Sequence, residues 1–431
     1  MNRIRGQQRR HFVQSSLWLV PVMGMVAALV AAPLVRWIDD QTRWTLMGFG
    51  ADGARNLVGA LASSLLTFIV FALSLMLLAV QMASGQLTPR IINRLFEGRR
   101  FKLVTCLFVF SWVYSLAAVG RIEERVPQLP VALAMALSLV SVGAFLYLVQ
   151  GIIQSMRPVS VLTGIANDTR EVIDAVYPAQ FSKDGGEHAG LELDRGTARK
   201  TVRYRGHSSV VLAFEVDGLA EIATRAGCTV EIIPQVGDFL ATEEELFRLY
   251  GAGADAASET ELLRCISLGR ERTLEQDPAF GFRIIVDIAS RALSPAINDP
   301  TTAVLAIDQL HHLLHLLGQR QLDTGVVRDA SGAVRLVYRT PDWEDFVTLA
   351  ATEIRLYGAT SPQVTRRLQA MLERVLRTVP QEREGALRQE ASLLLRTIER
   401  SFDDPVDREL ALRGDLQGFG SRDRGRDPAS R

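Results

Sequence analysis

Four long stretches without a single Asp, Glu, Lys or Arg fill most of the first 156 residues, and they constrain the fold of this chain more than any other feature. They cover residues 11–35, 56–89, 103–120 and 126–156. A helix needs about 20 apolar residues to cross a hydrocarbon core roughly 30 Å thick. Each stretch meets or approaches that length. The pattern predicts four membrane spans near 16–36, 57–80, 102–120 and 131–153, within a membrane domain over 1–156. The first stretch follows Arg3, Arg5, Arg9 and Arg10, as a secretory signal would. Its apolar core exceeds the usual length of such signals, and three further spans follow it, so a span is the expectation.

Lys and Arg near the span ends set orientation. Arg3, Arg5, Arg9, Arg10, Arg90, Arg94, Arg99, Arg100 and Lys102 lie on one side, against Arg36, Arg43, Arg55, Arg121 and Arg125 on the other. That bias predicts a multi-pass protein of the bacterial plasma (inner) membrane with both termini in the cytoplasm. The basic segment Arg90–Lys102 suits a loop drawn to anionic head groups. No predicted span carries an ionisable group in its interior, which argues against a proton relay or coupled pump. Small residues recur at helix-packing spacing, Gly24, Ala28 and Ala32 in the first span and Gly59 and Ser63 in the second. The second stretch, at ~50 Å as one helix, outruns the bilayer. Toward its end Gln81, Ser84 and Thr88 share a helical face, and with Gln86 they make a candidate pore mouth.

After residue 157 the chain reads as a cytosolic α+β domain, mostly helical with a small β subdomain. Pro158 ends or kinks the fourth span, and a helix over 159–177 leads to an exposed Gly- and Asp-rich loop over 178–200. Strand signals follow at 201–205, 210–216 and 229–233, rich in β-branched residues, with a helix between the last two, capped by Asp217 and ending near Gly227. A linker helix and small α/β subdomain thus occupy 157–257. A mainly helical domain follows over 258–413. Its helices are predicted at 258–268, 277–292, 300–318, 342–357, 362–378, 382–402 and 405–413, the first with a capping box at Ser258–Glu261. Two short strands, 326–328 and 334–339, flank a hairpin turn. The tail 414–431 lacks apolar anchors and reads as disordered.

Charge excludes one broad class. With 48 basic and 48 acidic residues the net charge is zero, which leaves no footprint for nucleic acid. Three cysteines, Cys106, Cys228 and Cys265, with no CxxC pair, suit neither a disulfide scaffold nor a thiolate zinc module. No P-loop, HExxH or GxSxG occurs, so no cofactor and no catalytic residue is called for. Gly251–Ala256 matches a dinucleotide fingerprint by letter only, without the strand–turn–helix unit that would give it meaning.

The most distinctive run is Arg291-Ala-Leu-Ser-Pro-Ala-Ile-Asn-Asp-Pro-Thr-Thr-Ala303. It reads as a corner between two helices, with Asp299 capping the second and Pro300 in its first turn. Asn298, Asp299, Thr301 and Thr302 are therefore a candidate ligand or coupling corner. On the next helix Asp308, His311, His312 and His315 fall on one face, a spacing that could hold a metal through Asp308, His311 and His315. Leu310, Leu313, Leu314 and Leu317 oppose them, so a solvated or subunit-facing surface is the reading favoured over a metal site.

The 291–303 run resembles the signature Ala-Leu-Ser-Pro-x-Ile-Asn-Asp-Pro-x-Thr-Ala of a bacterial family of predicted integral-membrane proteins of unknown function. Gln81–Arg90 and Arg270–Arg283 extend the likeness, which covers roughly 15–415. Leu87, Ala296 and Thr301 stand where that pattern carries an aromatic, a glycine and a bulkier residue. The resemblance implies four N-terminal spans and a cytosolic C-terminal domain, and it brings no activity. The functional expectation is an oligomeric ion channel or passive permeation protein with a regulatory cytosolic domain. The alternative is a membrane-anchored sensor or interaction protein that binds a ligand or partner. Expected partners are the lipid bilayer, further copies of the chain and a small ion or ligand.

Overall fold

A computed structural model describes residues 18–42, 48, 50–86, 99–122, 126–182 and 196–413. The expected tail at 414–431, most of the loop at 178–200 and most of the basic segment Arg90–Lys102 lie outside the described residues. The chain divides into two compact units, Met1–Ser160 and Val161–Arg431.

Among its described residues the first unit holds four helices, α1 Leu19–Thr42, α2 Ala51–Gln86, α3 Arg99–Val119 and α4 Gln128–Ser155. All four are long and apolar enough to cross a membrane. Their outward faces are large and apolar, with Val30 63%, Leu139 75% and Leu146 64% exposed. Lipid tails accept such faces, so close packing of small residues holds the helices together instead. Gly24, Ala28 and Ala32 of α1 are buried. A Cβ on Gly24 would meet the Cys106 carbonyl oxygen at 2.8 Å and its Sγ at 2.9 Å, so only glycine lets α1 and α3 come this close. Ala54, Val58, Tyr114, Val131 and Ala134 continue that core, and Leu65, Met76, Phe108 and Leu148 form a second cluster. A hydrogen bond of 3.1 Å joins Ser141 Oγ to Ser111 Oγ between α4 and α3.

The helices outrun the predicted spans, and the extra turns have a use. Asp39, in the last turns of α1, is buried, and its Oδ1 accepts the Leu129 amide at 2.8 Å. Pro127, at the start of α4, offers no side-chain cap, so a carboxylate from another helix meets one of the orphan donors there. Arg36 donates to the Arg121 carbonyl at 3.4 Å and Arg55 to the Ile122 carbonyl at 2.5 Å. Negative charge thus meets the start of α4 and positive charge the end of α3, as the helix dipoles favour.

Helix α5, Pro158–Val176, carries the chain into the second unit, and its first residue is the proline expected to interrupt the fourth span. Among the described residues eight strands follow, with seven further helices of eight or more residues and one shorter one. β1 Lys200–Arg203, β2 Ser209–Phe214, α6 Val216–Ala226, β3 Thr229–Ile232, β4 Phe239–Leu240 and β5 Glu245–Tyr250 come first. Then come α7 Glu259–Arg264, β6 Ile266–Gly269, α8 Pro278–Ala292, α9 Pro300–Leu317, β7 Val326–Arg328 and β8 Val334–Val337. Helices α10 Trp343–Tyr357, α11 Pro362–Leu376, α12 Glu384–Ser401 and α13 Pro405–Leu412 complete the unit. Beyond α6, the longer helices are α8 to α13 in this order.

Five strands form one sheet in the order β1-β5-β3-β8-β7, and three form another, β4-β2-β6. Every pairing is antiparallel except β3 with β8. Val230, Ile232, Leu246, Phe247, Leu249 and Leu336 pack beneath α6 in one core. Gly227 ends α6 at φ 68°, the left-handed conformation glycine adopts without strain.

Several local expectations change. Residues 266–268, expected as the end of a helix, belong to a strand, because Ile266 to Gly269 pair with β2. The strand β5 was not foreseen, since Leu246 and Phe247 adjoin and break the polar–apolar alternation. The hairpin β7–β8 joins the sheet of β1, β3 and β5 through the β3–β8 pairing, so one sheet draws strands from both sides of residue 257. Asp217 lies inside the first turn of α6, with Glu215 at the cap position. Ser258 occupies the cap of α7 without a side-chain cap bond, so the expected capping box does not form. Gly251–Ala256 does follow a strand, but a short 3-10 turn comes after it rather than an α-helix.

Candidate functional site

The signature run builds a tight corner between α8 and α9. The Asp299 amide donates to Ala292 O at 2.7 Å, the Asn298 amide to Ser294 O at 2.8 Å, and Ser294 Oγ to Arg291 O at 2.7 Å. Asn298 has φ 50°, a left-handed conformation in which Asn is among the few tolerated side chains. Asp299 accepts the Thr302 amide at 3.1 Å and the Thr302 hydroxyl at 2.5 Å. Pro300 takes the first helical position. Asp299 and the buried Thr302 therefore satisfy each other, and the anion position at this helix start is filled by the chain itself. Residues 295–298 and Thr301 are exposed.

The 270–283 run holds the entry to α8. Arg272 forms a two-pronged pair with buried Asp277, Nε to Oδ2 at 2.5 Å and Nη2 to Oδ1 at 3.0 Å. Asp277 also accepts the Phe280 amide at 3.0 Å, and the guanidinium lies over the Phe280 ring, 5.2 Å from its centre.

The histidine face of α9 turns partly inward. Leu310, Leu313, Leu314 and Leu317 are fully buried as expected. Asp308, however, is ion-paired with buried Arg367 of α11, and His311 Nδ1 lies 3.4 Å from the same guanidinium. His315 Nδ1 is 3.0 Å from Thr378 Oγ1. Burial, then the positive charges of Arg367 and Arg374 and the neighbouring His315, push the His311 pKa down from 6.5 to about 4, against the opposing pull of Asp308. His311 is thus neutral at physiological pH. Among the described residues no group of three or more His, Cys, Asp or Glu could hold a metal ion. A metal on Asp308 and His311 would have to displace Arg367.

Helix α2 carries the polar pattern that remains open. Asn56, Ser63, Thr67, Ser74 and Gln81 are all exposed. At 100° per residue they lie within about 20° of a single line along the helix, over ~38 Å. Thr67 and Ser74 donate back to their own helix, to Ser63 O at 3.1 Å and Val70 O at 2.9 Å. Of the four residues proposed at the pore mouth, Gln81 lies on this line. Ser84 and Gln86 are in the last turns of α2, with side chains outside the described set, and Thr88 lies outside the described residues. The sequence reading located polar residues on this helix but not their common line, although a helical projection of 51–86 suffices to find it. The roles of Arg36, Asp39, Arg55 and Arg367 had no such signal, because each depends on a partner from another helix.

Residues 14–374 match the family model described as Predicted membrane protein (DUF2254). Uncharacterised proteins of Mycobacterium bovis and Mycobacterium tuberculosis are 27% identical over 418 residues, covering 93% of this chain and 80% of theirs. No solved structure matches the chain.

Proposed function

The chain belongs to the predicted membrane protein family DUF2254, and we propose that it is a passive permeation protein, an oligomeric channel whose second span lines the path and whose second unit regulates it. The outward polar line of α2 carries this reading. Fully apolar spans need no hydroxyl or amide on their lipid side, and polar groups facing hydrocarbon are costly unless water or protein meets them. The interior of the four-helix unit is filled by side chains such as Ala54, Val58, Tyr114 and Phe108, so a water path belongs between copies rather than within one. Hydroxyl and amide groups can replace part of the hydration shell of a small ion or solute, and they carry no charge that would hold it. The bias of nine basic residues against five supports a reading in which both termini lie in the cytoplasm of a bacterial inner membrane.

Reconstitution into liposomes tests this. Purified protein is expected to pass small ions above the background of empty vesicles, and Thr67→Leu or Ser74→Leu to lower that flux. Absence of flux across the accessible ranges of voltage, tension and pH overturns the proposal. A second reading, a membrane-anchored interaction protein, draws on the exposure of Pro295, Ala296, Ile297 and Asn298 at the signature corner. Binding of a cytosolic ligand by the full-length protein, lost on changing Ile297 to Asp without loss of flux, would favour it.

A further inference from the structure

The small residues of the first two spans are used differently. Gly24, Ala28 and Ala32 are consumed inside the four-helix unit, with Gly24 against Cys106. Gly59 and Ser63 have the same four-residue spacing. Yet a Cβ on Gly59 would meet nothing within 4 Å, and Ser63 is exposed. Ala60, one turn before Ser63 and Ser64, is exposed as well. This small-residue patch coincides with the polar line of Asn56, Ser63, Thr67, Ser74 and Gln81. The line is flanked on α2 by large exposed apolar side chains, Val70 57% and Leu78 51%, of the kind that the outward faces of α1 and α4 also present with Val30 and Leu139.

Large apolar side chains are at home against lipid tails, whereas hydroxyls and primary amides gain no hydrogen bond from them; Thr67 and Ser74 already donate to their own helix and keep acceptor capacity for a neighbour. Where polar groups and small residues share one face of a span, close backbone approach and interhelical hydrogen bonds both become available to a neighbouring helix. We propose that this neighbour is α2 of a second copy of the chain. The face suits its own image. Ser, Thr, Asn and Gln each donate and accept, so two copies related by a two-fold axis can exchange hydrogen bonds across it. Gly59 and Ala60 let the backbones close on one another. No charged residue lies on the line between Asn56 and Gln81 to oppose the pairing. The inference rests on the placement of α2 in the bilayer that underlies the proposed function; it assigns the polar line to a contact between copies, so where that contact closes the line is not open to water, and it does not require transport.

Single cysteines introduced in the full-length chain test it in native membranes. Ser63→Cys, Thr67→Cys and Ser74→Cys are oxidised with a membrane-permeant catalyst, and products are resolved without reductant. Leu139→Cys and Leu146→Cys on α4 are outward controls, and the unsubstituted chain with its own Cys106 sets the background. Disulfide-linked dimers are expected from the three α2 positions and not from the controls. No dimer at any α2 position, or equal dimer at Leu139→Cys and Leu146→Cys, overturns the proposal. Ser63→Leu supplies a second readout that needs no disulfide. Its side chain has room on the outward face, and the variant is expected to lose the dimer seen for the unsubstituted protein by mass measurement in mild detergent. A persistent dimer counts against the α2 contact. Cross-linking without ion flux would leave the contact standing and remove the channel, whereas flux without cross-linking would do the reverse.

Discussion

If the signature corner is a backbone device, its Asn298 should be replaceable by the residue with the least side chain and not by alanine. Asn298 sits at φ 50°, where an L-residue costs about 1–2 kcal/mol and Asn is partly excused by its short polar side chain. Asn298→Ala keeps the conformational demand and loses that excuse, at about 1 kcal/mol. Asn298→Gly removes the strain but adds freedom to the unfolded chain worth roughly 0.4–1 kcal/mol, so the two changes nearly cancel. Asp299→Ala is expected to cost more. It removes the acceptor of both the Thr302 amide and the Thr302 hydroxyl, on a residue only 6% exposed. A lost helix cap with a buried hydroxyl left over comes to about 2 kcal/mol. At roughly 2–4 °C per kcal/mol for a domain of this size class, Asp299→Ala should unfold about 4–8 °C earlier, Asn298→Ala about 2–4 °C earlier, and Asn298→Gly close to the unsubstituted protein. Far-ultraviolet circular dichroism on heating, with the full-length protein in detergent, reads all three. An Asn298→Gly protein that falls as far as Asn298→Ala would refute the reasoning, because the Asn side chain would then be making a contact of its own.

Three further outcomes follow from other parts of the molecule. Asp39→Ala strips the Leu129 amide of its acceptor and should cost about 1–3 kcal/mol, with Asp39→Asn losing less because an acceptor remains; thermal unfolding in detergent separates the two. Gly24→Val forces a side chain onto the Cys106 carbonyl and should cost about 1–3 kcal/mol by overpacking, while Gly59→Val, with open space around it, should leave the isolated four-helix packing unchanged in the same assay. His311, pushed down from 6.5 to about 4, is neutral in the folded chain while the unfolded chain takes up a proton between those values. Stability should therefore fall as pH is lowered from about 6.5 to about 4, by about 1 kcal/mol after solvent screening. His311→Gln should flatten that limb of a denaturation series, and an unaltered limb would contradict the assignment.

The membrane half was legible because hydrocarbon imposes a minimum length on uncharged sequence, and no tertiary contact is needed to see it. Helix starts were legible where Asp precedes Pro, at Asp277, Asp299 and Asp404, since cap and first-turn geometry are local. Ser258 shows the limit of that signal, because the spelling of a capping box is present and its bond is absent. The strands β5 and β6 were hidden for a different reason. Their pairing partners lie elsewhere in the chain, β3 and β1 for the one and β2 for the other, and a four- or six-residue apolar segment does not declare its own period. The candidate site divides along the same line. Asp299 was readable as a cap, but the burial of Thr302 beside an exposed Thr301, and the pairing of Asp308 with Arg367, depend on which helix packs where.

The signature itself can be separated into what the backbone needs and what it does not. Asn298 answers a positive φ, Asp299 a helix cap, Pro300 a first turn, and Ser294 closes back on Arg291 through its hydroxyl. Those four positions hold the corner by physical chemistry alone. Pro295, Ala296 and Ile297 are exposed, and none of their side chains is needed to close the turn. Ile297 in particular leaves an apolar side chain at the surface, 36% exposed. A contact with another molecule is therefore to be sought at 295–297 and not at the Asn-Asp-Pro that first draws the eye. A change at Ile297 that leaves thermal unfolding untouched but alters flux or ligand binding would separate recognition from architecture, which no substitution at Asp299 can do.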